Sequence, residues 1–489
     1  MHSRVTWNWS AVGFLLAALV LMPACMPAPG AGTHAHRSLS PTGLATVSPS
    51  PAVTGPVSAD LRDPAQVVSR DGLLRTRIVV ERKKVELAGR PLWALTYNGQ
   101  YMPPTLRLKP GDRMEITFDN RLDKQTNLHV HGMHVSPAGN SDNVFLAIKP
   151  GKTFQYSYRF PESLEPGTYW YHPHPHAFSA AQTAGGMSGI IVVDGLDEYL
   201  PPSLRDITEH IVALKDFQIV GDQIKTQNLK IGAPTTRTVN GQLNPRIRIR
   251  PGETQLWRLA NIGANIFYKV ALPGHRFHVV AQDGYPVNKV YSADSIVIPA
   301  GARYDVLVQG GPEGTRELQT LPYNTGKAGN QFPQATLATV ASAGEPMTAE
   351  PMPTAFGPTD DLATAPLAGR QTITYTENAA GTEFFINGKQ FDHNRVDFRV
   401  KLNTVEEWTI RNNTDEVHSF HVHTNDFQVM SINGRPRTNY GLQDTVDVPP
   451  RGTMVIRSRF LDYPGRTVLH CHILNHEDLG MMSVLQIDK

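Results

Sequence analysis

Near its carboxy-terminal end the sequence reads His470-Cys471-His472, with His476 four positions beyond the triplet and Met481 ten beyond the cysteine. The only other cysteine is Cys25. A thiolate, imidazoles and a weak thioether are the donors of an electron-transfer copper centre, and one imidazole must then arrive from another loop. His418 is its expected source. Three further histidine groups precede the triplet: His129-Val130-His131, His172-Pro173-His174, and His418-Ser419-Phe420-His421-Val422-His423. Ten of the 19 histidines fall in these four groups, so their placement is not that of scattered surface residues.

Residues i and i+2 of a strand face one side, so each His-x-His pair can present two imidazoles to one place. A single pair has an ordinary hydrogen-bonding role as its simplest explanation. Four pairs pointing inward would gather eight uncharged rings, a costly arrangement unless a metal satisfies them. Eight imidazoles suffice for three coppers, one held by two rings and a pair held by three each.

The elements that must position these residues are strands. Gly and Pro are abundant, Val, Ile and Thr recur in short runs, and helical periodicity is scarce, which predicts an all-β, sandwich-like protein. A chain of 489 residues exceeds one core. An internal echo divides it. Asn98-Gly99 is followed by Leu106, Leu108, Pro110-Gly111-Asp112, Met114, Ile116 and Asn120. Asn240-Gly241 is followed by Ile247, Ile249, Pro251-Gly252-Glu253, Trp257 and Asn261, and Asn387-Gly388 by Phe398, Val400, Val405, Trp408, Ile410 and Asn412. The third copy has Leu402-Asn403-Thr404 in place of the Pro-Gly turn. The spacing is that of one β-sandwich domain, giving expected domains over 70–200, 201–345 and 369–489 with a Pro/Thr/Ala-rich linker over 346–368.

These motifs resemble the multicopper oxidases, the family of laccases, bilirubin oxidases and cuprous oxidases, over roughly residues 90–489. The resemblance implies three consecutive cupredoxin-like Greek-key β-sandwich domains and four copper ions. By the family pattern, the type 1 copper is held by His418, Cys471 and His476 with Met481 axial. His129 and His421 hold the type 2 copper. His131, His172, His174, His423, His470 and His472 hold the type 3 pair. The run His172-Pro173-His174-Pro175-His176 offers two registers, and His172 with His174 is chosen because they follow Gly167-Thr168-Tyr169-Trp170-Tyr171, which looks like the family's approach strand. Met481 is preferred to Met482 by spacing, and a thioether there places the type 1 potential toward the lower end of the family's range. Glu477 matches the family's proton-relaying glutamate. Asp142, in Asn140-Ser141-Asp142-Asn143, is the expected acid on the type 2 side, with a turn role as its alternative. His134, His275, His278 and His393 have no pattern partner and are expected in hydrogen-bonding or surface roles.

The implied reaction is one-electron oxidation of a reductant coupled to reduction of dioxygen to water. Cuprous oxidases of the family that the chain resembles commonly add a methionine-rich stretch over the type 1 site; this sequence has 13 methionines but no such stretch, so the resemblance implies phenols and aromatic amines ahead of Cu(I) as reductants. A metallo-oxidase acting on Cu(I) or Mn(II), as in copper tolerance, is the alternative. A copper nitrite reductase does not require all four histidine pairs, and a nonenzymatic relative would be expected to have lost ligands.

The amino terminus has a short basic start, an apolar run from Trp7 to Met22 and then Pro23-Ala24-Cys25, which reads as an export signal over 1–25. Cys25 is the acylated first residue of a lipoprotein, a membrane tether, or else a free cysteine or one removed with the signal. Residues 26–69 are expected to be a disordered Pro/Ala/Ser-rich tether. Cys471 then has no disulfide partner, so packing and metal must supply stability in an exported, periplasmic, cell-surface or extracellular protein. Arg4 is not part of a twin-arginine signal, which points to general secretion with copper loading afterwards. A net charge of +2 without basic blocks argues against nucleic-acid binding. Three domains in one chain can close the cluster unaided, so a monomer is expected.

Overall fold

Strand Thr453–Phe460 buries Met454, Ile456, Ser458 and Phe460 and turns the residues between them outward, as period-two patterning against one core requires. Gly189–Val193 breaks that alternation and is buried throughout. Its Ile191 and Val193 face the first domain's core, while Ile190 and Val192 pack with Ile211 and Ala213 of the second domain. The computed structural model describes residues 59–357 and 361–489. The expected signal, Cys25 and most of the tether lie outside these residues. No helix among the described residues is long and apolar enough to cross a membrane.

The molecule is all-β, with three cupredoxin-like domains each built from two main sheets, and the second adds a two-stranded ribbon of Tyr323–Asn324 and Gln331–Phe332. In the first domain, one sheet runs in the order Gln66–Val68, Thr105–Leu108, Gly189–Val193, Gly167–His172 and His129–His131. In the third, the corresponding sheet runs Val396–Lys401, Met482–Asp488, Gly465–Cys471, His418–Val422 and Thr445–Val448. All four histidine groups therefore lie on or just beyond strands of two equivalent sheets. His129 pairs with His172 in one register and His421 with His470 in the other, which sets the imidazoles side by side.

The echo in the sequence is an echo in geometry. Asn98-Gly99, Asn240-Gly241 and Asn387-Gly388 all take positive φ at both positions, the requirement of a type I′ hairpin turn. In each, the asparagine oxygen accepts a backbone N–H of a neighbouring strand (Val79, Ala213 or Thr374) and its amide donates to the carbonyl two residues earlier. Asn120, Asn261 and Asn412 repeat a second device, each donating to two carbonyls and accepting the N–H two residues ahead. In the third domain this corner fixes the loop that leads to His418.

Residues 59–69, expected within the disordered tether, are instead bound to the fold. Leu61 N–H donates to Arg246 O, Asp63 accepts the Ile211 N–H, and Gln66–Val68 pairs in parallel with Thr105–Leu108. Leu61 and Val67 give this stretch apolar anchors that a reading by Pro and Ala content overlooked. The linker also makes backbone bonds to the second domain, through Thr354 with Val290 and Gly357 with Val287.

Candidate metal centres

Eight histidines from the first and third domains converge on one buried space. His129 stacks on His423 with ring centroids 4.1 Å apart, and His131 stacks on His421 at 4.0 Å. His174, His423 and His470 form one close group, with Nε2–Nε2 distances to His470 of 3.2 and 3.1 Å. On the other side His472 Nε2 lies 3.1 Å from His131 Nδ1, and the His472 and His172 ring centroids are 5.6 Å apart. Trp170, fully buried two residues before His172, stacks on its ring at 4.1 Å.

The outward nitrogens are held by the protein. His129 Nδ1 meets Asp142 at 2.9 Å, and Asp142 also accepts the Val130 N–H. His172 Nδ1 faces Pro173 O at 3.0 Å, His421 Nδ1 faces Asp444 O at 2.8 Å, and His131 Nε2 lies 3.0 Å from Asp444 Oδ1. Such partners fix ring orientation and tautomer in metal sites. The inward Nε2 atoms of His129, His172 and His421 have no hydrogen-bond partner among the described residues. Burial, reinforced by neighbouring imidazoles, holds His131, His172, His174, His423, His470 and His472 well below the ordinary imidazole range, so these rings are neutral. Neutral rings crowding unsatisfied nitrogens into one space fit copper ions shared among them.

Glu477 is fully buried beside this cage, with Oε2 3.2 Å from His470 Nδ1 and Oε1 3.6 Å from His174 Nδ1. These approaches fall short of hydrogen-bond geometry. Burial, with Asp478 adding its charge, raises the Glu477 carboxyl well above the usual range. It sits on the short helix Leu474–Asp478, whose Asp478 accepts the N–H groups of Ser179 and Ala180 in the first domain.

A second centre lies across the Gly465–Cys471 strand. Cys471 Sγ is 3.5 Å from His418 Nδ1 and 4.0 Å from His476 Nδ1, and the two imidazole nitrogens are 3.2 Å apart. Burial pushes the Cys471 thiol up and His418 down to about 3, so a thiolate here needs a cation bound by it. Thr414 Oγ1 holds His418 Nε2 at 2.9 Å. Met481 is buried in the same core cluster as Cys471, and its backbone bonds to both Cys471 and His476. Met482 packs elsewhere, with Val144 and Val468. Phe384 stacks on His476 at 4.1 Å. A cavity of about 950 Å³ opens at His476 and is bordered by Phe384, Ile231, Glu377 and Glu416.

All of the expected ligand residues are thus brought together in two groups. His176, the alternative in the second motif, is exposed and packs on Phe391. His134 bonds Thr424 O and Asp462, His275 accepts the Gly311 N–H, and His278 meets Ser292. Asp444 and Arg303 escaped notice in the sequence. Neither lies in a histidine motif, and their contacts join residues far apart in the chain.

Sequence models of the multicopper oxidase family match residues 79–197, 210–315 and 364–489. The chain belongs to the multicopper oxidase family. It is 28% identical over 416 residues to the multicopper oxidase mco of Staphylococcus aureus, covering 81% of this chain and 84% of that one. A solved multicopper oxidase from Campylobacter jejuni, described as a metallo-oxidase, is 25% identical with a TM-score of 0.78, over 89% of this chain and 96% of that one. A laccase from Pediococcus acidilactici has a TM-score of 0.79 at 22% identity, over 90% of this chain and 95% of that one, a likeness of fold alone. This multicopper oxidase is therefore a copper enzyme whose reductant the family leaves open.

Proposed function

We propose that this enzyme oxidises phenols and aromatic amines one electron at a time and reduces dioxygen to water, using four coppers held as the family pattern implies. His418, Cys471, His476 and Met481 would hold the type 1 ion, His129 and His421 the type 2 ion, and His131, His172, His174, His423, His470 and His472 the type 3 pair. When bound, copper supplies one-electron acceptance from the reductant and four-electron reduction of dioxygen.

The cavity at His476 carries the substrate reading. It is roomy enough for an aromatic ring, and it combines apolar walls at Ile231 and Phe384 with the carboxyls of Glu377 and Glu416. Glu416 Oε1 is 3.6 Å from His476 Nε2, and burial beside Glu377 raises its carboxyl to about 8, so the pair keeps a proton at neutral pH and offers a phenol or aniline a hydrogen bond where the electron leaves. His476 borders the cavity on one side and faces Cys471 on the other. Cys471 is bonded through the chain to His470 and His472, each α carbon about 3.8 Å from the next, which gives a covalent path toward the cage. Glu477 delivers protons on the His470 and His174 side, and Asp142 orients His129.

The same two carboxyls support a second reading, oxidation of Cu(I) or Mn(II), the kind of activity named for the Campylobacter relative. Steady-state oxidation of 2,6-dimethoxyphenol, bilirubin, Cu(I) and Mn(II) by copper-loaded enzyme, with oxygen uptake recorded, decides between them. Saturable turnover of the phenol well above that of either ion is expected; the reverse order would replace the aromatic reading with the metal-ion one. The export leader expected from the sequence supports a reaction outside the cytosol, and three domains in one chain support a monomer.

A further inference from the structure

The second domain supplies none of the expected copper ligands, yet its Arg303 grips the carboxylate behind the cage. Arg303, at the start of strand Arg303–Gln309, is fully buried. Its Nη1 donates to Asp444 Oδ1 at 2.9 Å and its Nη2 to Asp444 Oδ2 at 2.7 Å, a two-pronged grip. Nε donates to Thr168 O and Nη1 also to Gly301 O, both at 3.0 Å. One guanidinium therefore ties together all three domains. Asp283 completes the frame by accepting the backbone N–H groups of Arg303, Asp444 and Thr445.

Asp444 sets two rings of the cage, His131 through its carboxylate and His421 chiefly through its backbone carbonyl at 2.8 Å. Its Oδ1 lies 3.0 Å from His131 Nε2 and 3.6 Å from His421 Nδ1, rings that come from different domains and stack on each other. The local chain leaves room for this arrangement. Gly132, directly after His131, has φ +80°, and any side chain there would collide with the Arg303 guanidinium and the Asp444 carboxylate. A Cβ on Gly301, two residues before Arg303, would stand 2.9 Å from the His472 ring.

We propose that Arg303 is a positioning residue of the oxygen-reducing cage: by gripping both oxygens of Asp444 it fixes the planes of His131 and His421, so the ligand-free domain sets the geometry where the type 2 and type 3 sites meet. The inference rests on the copper-cage reading above. A plain interdomain ion pair would steady the fold without tuning the metal, and the two roles separate by experiment. Lysine is a poor substitute, because a single ammonium cannot match the planar fork.

The test compares copper-loaded parent, Arg303→Gln, Arg303→Lys and Arg107→Gln, the last breaking an ion pair between the first and second domains away from the cage. The readouts are the blue thiolate absorption, the type 2 paramagnetic resonance signal, and copper retained against a chelator. Both Arg303 variants are expected to keep the blue absorption, shift the type 2 hyperfine splitting and hold cage copper about 10- to 100-fold more weakly, the usual effect of losing an outer-shell partner. Arg107→Gln should change none of these. A parent-like signal and parent-like retention in Arg303→Gln, with the parent cage full, would overturn the inference alone. A parent that takes up no cage copper would remove the cage reading and this inference with it. If Arg303→Gln does not fold, Asp444→Asn carries the same expectation, and an unchanged type 2 signal there overturns it equally.

Discussion

Lowering the pH should loosen the seam between the first and second domains through one carboxylate. Glu209 is clasped by Arg107 Nη1 and Arg258 Nη2, each at 2.8 Å, and Arg107 also bonds Asp194. Burial alone would raise the Glu209 carboxyl, but the two guanidiniums overcome it and hold the group at about 2 against an ordinary 4.5. Because the folded value is the lower one, its stabilisation is complete above about pH 4.5 and is lost as pH falls through about 2. A depression of that size corresponds to about 3 kcal/mol, an upper figure since the side chain is 23% exposed. Glu209→Gln removes the titrating group and leaves Arg107 paired with Asp194 alone and Arg258 with Asp305 alone. The variant should be less stable than the parent at neutral pH, and the gap should close by about 3 kcal/mol between pH 5 and pH 2. Denaturant unfolding of both proteins at matched ionic strength, across that range, measures the difference. Parallel pH profiles would refute the reasoning, because they would mean that Glu209 binds its proton equally well in the folded and unfolded chain.

Other outcomes follow from the two centres. Glu477→Gln keeps the shape of the side chain but cannot carry a proton, so oxygen reduction should slow by about 100- to 10,000-fold while the blue absorption persists; unchanged oxygen uptake with a fast donor would exclude the relay. Cys471→Ser should abolish both the blue absorption and phenol oxidation with the fold retained by circular dichroism, and parent-rate turnover would remove Cys471 from the electron path. His172→Ala should lower the copper content and His176→Ala should leave it unchanged, as their burial and exposure require. Equal copper loss in both would mean that the second motif is used in its other register.

The fold was legible where local chemistry dictates local geometry. An Asn-Gly pair between apolar runs specifies positive φ at two successive residues, and all three copies adopt it. The convergence of the histidine groups was legible because a spacing of two on a strand commits both rings to one face, as with His129 and His131. The spacing leaves two registers for the second motif, and burial differs between them: His172 and His174 turn into the cage while His176 faces solvent. Asp444 and Arg303 were invisible because their meaning lies in contacts between domains, with His131 on one side and Thr168 on the other. Residues 59–69 were misread for a similar reason. Their order comes from partner strands elsewhere in the chain, such as Thr105–Leu108, and composition carries no record of a partner.

The strand that ends at Cys471 gives the molecule an unequal tolerance of thermal breathing. The thiolate centre is drawn wholly from the third domain, and its link to His470 and His472 is a run of covalent bonds that no movement at a seam can stretch. The cage is split, with His129, His131, His172 and His174 on one body and the remaining rings on another. Gentle warming should therefore disable the oxygen-consuming half first. The intermediate would be a protein still coloured, still able to take one electron, and unable to pass it to oxygen.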